Sequence, residues 1–350
     1  MDQAFFLFST PTSFDHSFKG HRISIQQVPT NIGEAEHFRH RGPFEHHFYV
    51  LGIPVAETDK PWVSRFELDP DDVLALLSLF FGKRIINHGA IFRPPLLSLP
   101  SFQNVRPNPY HDLPVFSGAH GKVPIQNPDW RAVAQIEQEV EELAAPACSR
   151  PDFIAAARAY ADSIRLLPMD RELAYLRLIQ ALESAGSRQW LHDGEKFAHD
   201  TELVKHLTWL DGMSDPQGQE VAGLLRRRLF QVKRGVWIWI RARIDQAFYS
   251  EENGALSPEG LERAVSAAYD LRSGYVHGGT RFGDWVDPRE GRCQSNEVVP
   301  SDFAQICEDK DLRRILTRCP SFVGLERLVR YSLHKEFGTP EANTTQSGIP

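Results

Sequence analysis

The chain contains no apolar run long enough to cross a membrane; the longest, "VLALLSLFF", covers nine residues. It has four cysteines, Cys148, Cys293, Cys307 and Cys319, and no two stand at CxxC spacing. A zinc ribbon and a disulfide framework are therefore not expected. The opening "MDQAFFLFST" has an acidic second residue and too short an apolar core for a secretory leader. A cytoplasmic, membrane-free protein is the expectation. Basic charge is not in excess either: the net charge is −7 and the isoelectric point about 6.1. That argues against a protein that coats nucleic acid indiscriminately, while leaving room for a local basic face. "GAHGK", residues 118–122, lacks the glycine spacing of a phosphate-binding loop. Neither the histidines of "HFRHRGPFEHH" nor the stripe His192, Glu195, His199, Glu202, His206 has the setting of a metal site. No cofactor is expected.

What is present divides into two parts, an α+β organisation. Residues 1–128 read as a strand-rich domain: "FFLFS", "RISIQQV", "HHFYVLGIPV" and "WVSRFEL" are aromatic or β-branched runs bounded by Pro, Gly and polar residues. One helix interrupts them, "DPDDVLALLSLFFGKR", with acids at its start and Gly-Lys-Arg at its close. Its last stretch, residues 94–128, holds eight prolines and reads as an irregular connection. Residues 129–337 read as helical, and 338–350 as a tail without apolar periodicity. "SPEGLERAVSAAYDLRSGYVHGG" carries a full set of helix signals. Ser257 caps it, Pro258 occupies the first turn, Glu259 faces the positive dipole end, and Gly278-Gly279 closes it.

Within that helix Arg272 and His277 stand five positions apart. Cleaving RNA without a metal requires proton transfer at the 2′-hydroxyl and the 5′-oxygen, and a clamp for the phosphorane. Histidine transfers protons near neutral pH. Arginine grips phosphate with a planar, permanently charged fork. On an unbroken helix, however, the two side chains diverge by about 140°. Either Gly274 loosens the helix, or a second copy completes the site across a two-fold axis. Equally, Arg272 has Asp270, Asp284 and Glu183 as ion-pair candidates, and His277 suits a helix C-terminus.

The segment Leu224–Ile244 is rich in cations. Arg226, Arg227, Lys233, Arg234 and Arg241 fall on one side with Phe230 and Trp237 among them. Leu225, Leu229, Val232, Val236, Trp239 and Ile240 fill the other. Cations that follow phosphates and rings that stack on bases suit a single strand. A solvated basic face packed on a neighbouring helix fits the same pattern.

"RLIQALESAGS", followed by "AYDLRSGYVHGG" and a final "LERLVRYSL", resembles the Apea-like branch of the HEPN superfamily across about residues 150–337. The resemblance implies an all-α HEPN bundle and a metal-independent endoribonuclease, working as a homodimer and leaving 2′,3′-cyclic phosphate and 5′-hydroxyl ends. It places the family's R-x4–6-H motif on Arg272 and His277, with Ser273 as the supporting polar residue. Glu183 is a candidate to orient either of them. The front domain would then be a sensor answering an unidentified trigger, as in antiviral or stress effectors. Some HEPN domains only bind RNA, a nucleotide or a protein partner, and that is the alternative function.

Overall fold

The computed structural model describes residues 3–28, 47–56, 65–93, 96–97, 128–143, 150–186, 231–250, 256–287 and 297–337, with short pieces at 205–206, 208–210, 212 and 217–221. It is an α+β structure: an antiparallel N-terminal sheet is followed by helices. The strands are β1 (Gln3–Thr10), β2 (Phe18–Lys19), β3 (Ser24–Gln27), β4 (His47–Ala56), β5 (Arg65–Phe66), β6 (Ile86–Arg93) and β7 (Leu96–Leu97). Their order is β2-β3-β4-β1-β6-β7, with β5 pairing β4. Strand β1 is central, running from Gln3 opposite Pro54 to Thr10 opposite His47 along β4. Its pairing with β6 shifts register between Leu7 and Phe8, so that His88 is skipped.

Ala4, Phe6 and Phe8 alternate onto one face of β1 and are buried. Helix α1 (Pro70–Phe81) lies against β6. Asp69 caps it by accepting from the Asp71 amide, and Gly82 ends it at φ 63°. The part expected to be helical opens as a 3-10 helix, Trp130–Ile136, before helix α2 (Glu137–Leu143). Trp130, Val133 and Ile136 are its buried residues. Their spacing of three lines up on a 3-10 turn, whereas an α-helix would fan them apart. Trp130 stacks on Phe14 at 3.8 Å and meets Phe8, Tyr49 and Phe81 edge-on, so it belongs to the core beneath the sheet.

The helical part comprises α3 (Pro151–Leu166), α4 (Arg171–Gly186), α5 (Gln231–Arg241), α6 (Gln246–Tyr249), α7 (Pro258–Gly278), α8 (Gly283–Val286), α9 (Ser301–Gln305), α10 (Lys310–Leu316) and α11 (Phe322–His334). Helix α4 is central, packing against α3, α5, α7, α8 and α11. Its buried face, Ala174, Tyr175, Leu178, Ile179, Ala181 and Leu182, follows helical spacing. Sheet and helices share one continuous hydrophobic cluster. Polar contacts cross the same junction: Arg158 on α3 grips Asp72 on α1, and a His334 ring nitrogen on α11 lies 3.1 Å from the Leu79 carbonyl oxygen. Of the connection 94–128 only 96–97 and 128 lie among the described residues, and the tail 338–350 lies outside them.

Candidate functional site

Helix α7 forms as its end signals dictate. Ser257 accepts from the Gly260 amide at 3.1 Å, Pro258 opens the first turn, and Gly279 closes the helix at φ 67°. The Gly279 amide donates to the Tyr275 carbonyl at 2.9 Å, and the Thr280 amide to the Gly274 carbonyl at 3.2 Å. The helix is continuous through Gly274, which does not loosen it. Of the two routes around the 140° divergence, the local one is therefore closed on this chain.

The buried face of α7 runs through Leu261, Ala264, Val265, Ala268 and Leu271. Its last turns leave Ser273, Val276 and His277 exposed, with Val276 at 54%. On a helical wheel Val276 and Ser273 lie between Arg272 and His277. The far end of the helix thus presents a cation, a hydroxyl, an apolar side chain and an imidazole along one solvent-facing arc.

Arg272 has one anionic contact among the described residues. Its Nη2 lies 3.4 Å from Oε2 of Glu183 on α4, and its side chain is 38% exposed. Of the three carboxylates open as partners, Glu183 is the one it meets; Asp284 instead receives Arg171. Glu183 is 19% exposed, and burial raises its carboxyl above the usual range while the Arg272 charge opposes that rise. Sequence reasoning passed over Tyr269, one turn before Arg272 on the same helix. Its hydroxyl is buried beside Glu183 without a hydrogen bond of acceptable geometry. Burial, and then the Glu183 charge, push the phenol well above its ordinary pKa. The signal available was the three-residue step in "YDLR".

The basic segment is seen in part. Arg226 and Arg227 lie outside the described residues. Lys233 and Arg234 lie on α5, but only the backbone is described there. Arg241 is exposed at the end of α5. Trp237 is half-buried against the core, and Val236, Trp239 and Ile240 are buried, the side expected to face inward. Of the histidine–glutamate stripe only His206 is among the described residues.

A cleft of about 590 Å³ lies elsewhere, between the start of α1, β6 and α3, lined by Asp69, Asp71, Asn87, His88, Arg158 and Asp162 among others. None of its lining residues comes from α4 or α7. Two of its cations are already engaged, Arg158 by Asp72 and Arg165 by Asp162. Burial pulls His88 down to about 4, so the ring is neutral near pH 7. Much of its polar lining is already paired, Asn87 with Asp71 and Arg165 with Asp162, and the Arg272–His277 pair lies apart from it on α7.

No family model, curated protein or solved structure matches this chain.

Proposed function

We propose that the chain is a metal-independent endoribonuclease of the HEPN type, with Arg272 and His277 as its catalytic residues. The observation that carries the reading is their placement: both stand on the exposed end of one rigid helix, with Ser273 between them. Neutral His277 accepts the 2′-hydroxyl proton as that oxygen attacks phosphorus. An imidazolium returns a proton to the departing 5′-oxygen, and the products are a 2′,3′-cyclic phosphate and a 5′-hydroxyl. Arg272 holds the phosphate and the extra charge of the phosphorane through paired hydrogen bonds. Ser273 supports the phosphate or the adjacent backbone.

Because one copy splays the two groups apart, the reading requires a homodimer in which Arg272 of one copy works with His277 of the other. Val276, 54% exposed beside both groups, would lie at such a contact. Arg226, Arg227, Lys233, Arg234 and Arg241 would guide the strand electrostatically, with Trp237 offering the accessible part of its ring to a base. The N-terminal sheet would act as the regulatory part, answering a trigger in a cytoplasmic antiviral or stress response. Its shared core with the helices gives a change in the sheet a mechanical route to α3 and α4.

The test is RNA cleavage in EDTA by the wild type, His277→Ala and Arg272→Ala, with end-group analysis and circular dichroism of all three. Cyclic-phosphate ends from the wild type and none from the folded variants are expected. Cleavage that survives both substitutions overturns the site. RNA binding without cleavage, lost in Arg272→Ala, would favour the non-catalytic binding module.

A further inference from the structure

Three groups meet where α4 crosses α7. Tyr269 and Arg272 are one turn apart on α7, and Glu183 projects toward both from α4. The Arg272–Glu183 contact is single and, at 3.4 Å, longer than the ~2.7–2.9 Å of a strong charge-assisted bond. The Arg272 side chain is 38% exposed, so solvent reaches it beside that contact. Tyr269 is only 8% exposed, and its hydroxyl lies beside Glu183 without a hydrogen bond of good geometry. The hydroxyl stands within reach of the Glu183 carboxylate without a well-aligned bond to it, and a poorly satisfied buried hydroxyl costs free energy.

We propose that Glu183 is a partner-switching positioning residue: it steadies Arg272 while the site is empty, and turns to accept the Tyr269 hydroxyl once a phosphate takes the guanidinium. This rests on the reading of Arg272 as a phosphate ligand. A phosphodiester offers Arg272 two short bonds in place of one long one. It also brings a second anion to the same guanidinium, which a mostly buried carboxylate resists. A carboxylate that let go with nothing to receive it would be left buried and uncompensated. The Tyr269 hydroxyl is the waiting donor. Its poorly aligned contact with Glu183 in the empty site and the weak grip of Glu183 on Arg272 are thus two halves of one arrangement.

The experiment measures binding of a short fluorescein-labelled RNA, 2′-O-methylated throughout and so uncleavable, to the full chain by anisotropy. Wild type, Glu183→Gln, Tyr269→Phe, the double variant and Arg272→Ala are compared, with thermal unfolding of each. Glu183→Gln should bind more tightly, because a competing anion is gone. Tyr269→Phe should bind roughly three- to tenfold more weakly, the worth of about one hydrogen bond, while unfolding at or above the wild-type temperature. In the Glu183→Gln background the same Tyr269→Phe change should have no effect on binding. A merely structural tyrosine would weaken binding by the same factor in both backgrounds, and that result overturns the switch. So does wild-type affinity in both single variants while Arg272→Ala loses binding, an outcome that leaves the phosphate-ligand reading standing. Arg272→Ala binding as well as the wild type overturns both.

Discussion

Arg327 on α11 grips both oxygens of Glu297, a carboxylate with no solvent exposure, through Nε and Nη2. The same carboxylate accepts the Leu256 amide at 2.9 Å, and Arg327 Nη1 donates to the Phe248 carbonyl at 3.0 Å with its guanidinium over the Phe248 ring. One ion pair therefore ties the entry to α7, the end of α6 and the segment before α9 to the core helix α11. Removing one partner leaves the other charged and buried.

Arg327→Met or Glu297→Gln alone should each cost ~3–5 kcal/mol of unfolding free energy, the usual penalty for orphaning a buried ion. The double replacement Glu297→Leu/Arg327→Met should cost less than the worse single variant, since no uncompensated charge remains. Urea denaturation of the three variants measures this. Additive losses would show that the pair is not acting as a unit.

Gly324 sits where the α11 backbone meets the backbone of Glu297, and a Cβ there would overlap the Glu297 carbonyl oxygen. Gly324→Ala must push the two segments apart or distort α11. A loss of ~1–3 kcal/mol is expected, the range for overpacking. A helix-propensity argument predicts the opposite sign, because alanine favours helix over glycine. The direction of the shift in unfolding temperature decides between the two.

These contacts mark where sequence reading stops. The ends of α1 and α7 were legible because Asp69, Pro70, Gly82, Ser257, Pro258 and Gly279 act locally. The inward side of α5 was legible because Val236, Trp239 and Ile240 repeat at helical spacing. That the helical stretch from residue 130 opens as 3-10 was not legible, because the sequence marks it as helical while the tighter winding follows from packing Trp130, Val133 and Ile136 into the core. Glu297 and Arg327, or Tyr160 and Glu326, are distant in sequence and meet only through packing. No local pattern distinguishes such residues from solvated ones. At the candidate site, the motif marks Arg272 and His277, but the packing of α4 on α7 selects Glu183 over Asp270 and Asp284 as the carboxylate Arg272 meets.

His334 provides a pH signature of the junction between sheet and helices. It lies between Phe80 and Phe337 and beside the Leu79 carbonyl, and burial, with Arg330 adding to it, lowers its pKa from 6.5 to about 4. The unfolded chain binds the proton more readily than the folded one. The contribution of this group to stability is therefore complete above about pH 6.5 and is lost as the pH drops toward 4. Buried His88 adds a slope of the same sign in the same window. His334→Gln, which keeps a donor for Leu79, should flatten the dependence of unfolding temperature on pH between 6.5 and 4. An unchanged slope would locate the effect elsewhere.

The divergence of Arg272 and His277 on a continuous helix makes the proposed homodimer testable in solution. Arg272→Ala and His277→Ala are each expected to be inactive alone. Unfolded together and refolded as a mixture, about half of the dimers combine one of each, and half of the sites in those dimers hold an intact arginine and an intact histidine. Recovery of about a quarter of wild-type cleavage is the expected result. If both residues of a site came from the same chain, no arrangement of the mixture would unite them, and activity would stay at zero. A site that needs both arginines and both histidines would also stay silent. Chemical cross-linking of the refolded mixture, with differently tagged variants, shows whether mixed dimers formed, so silence in their presence rules out the one-arginine, one-histidine site shared across the two-fold axis.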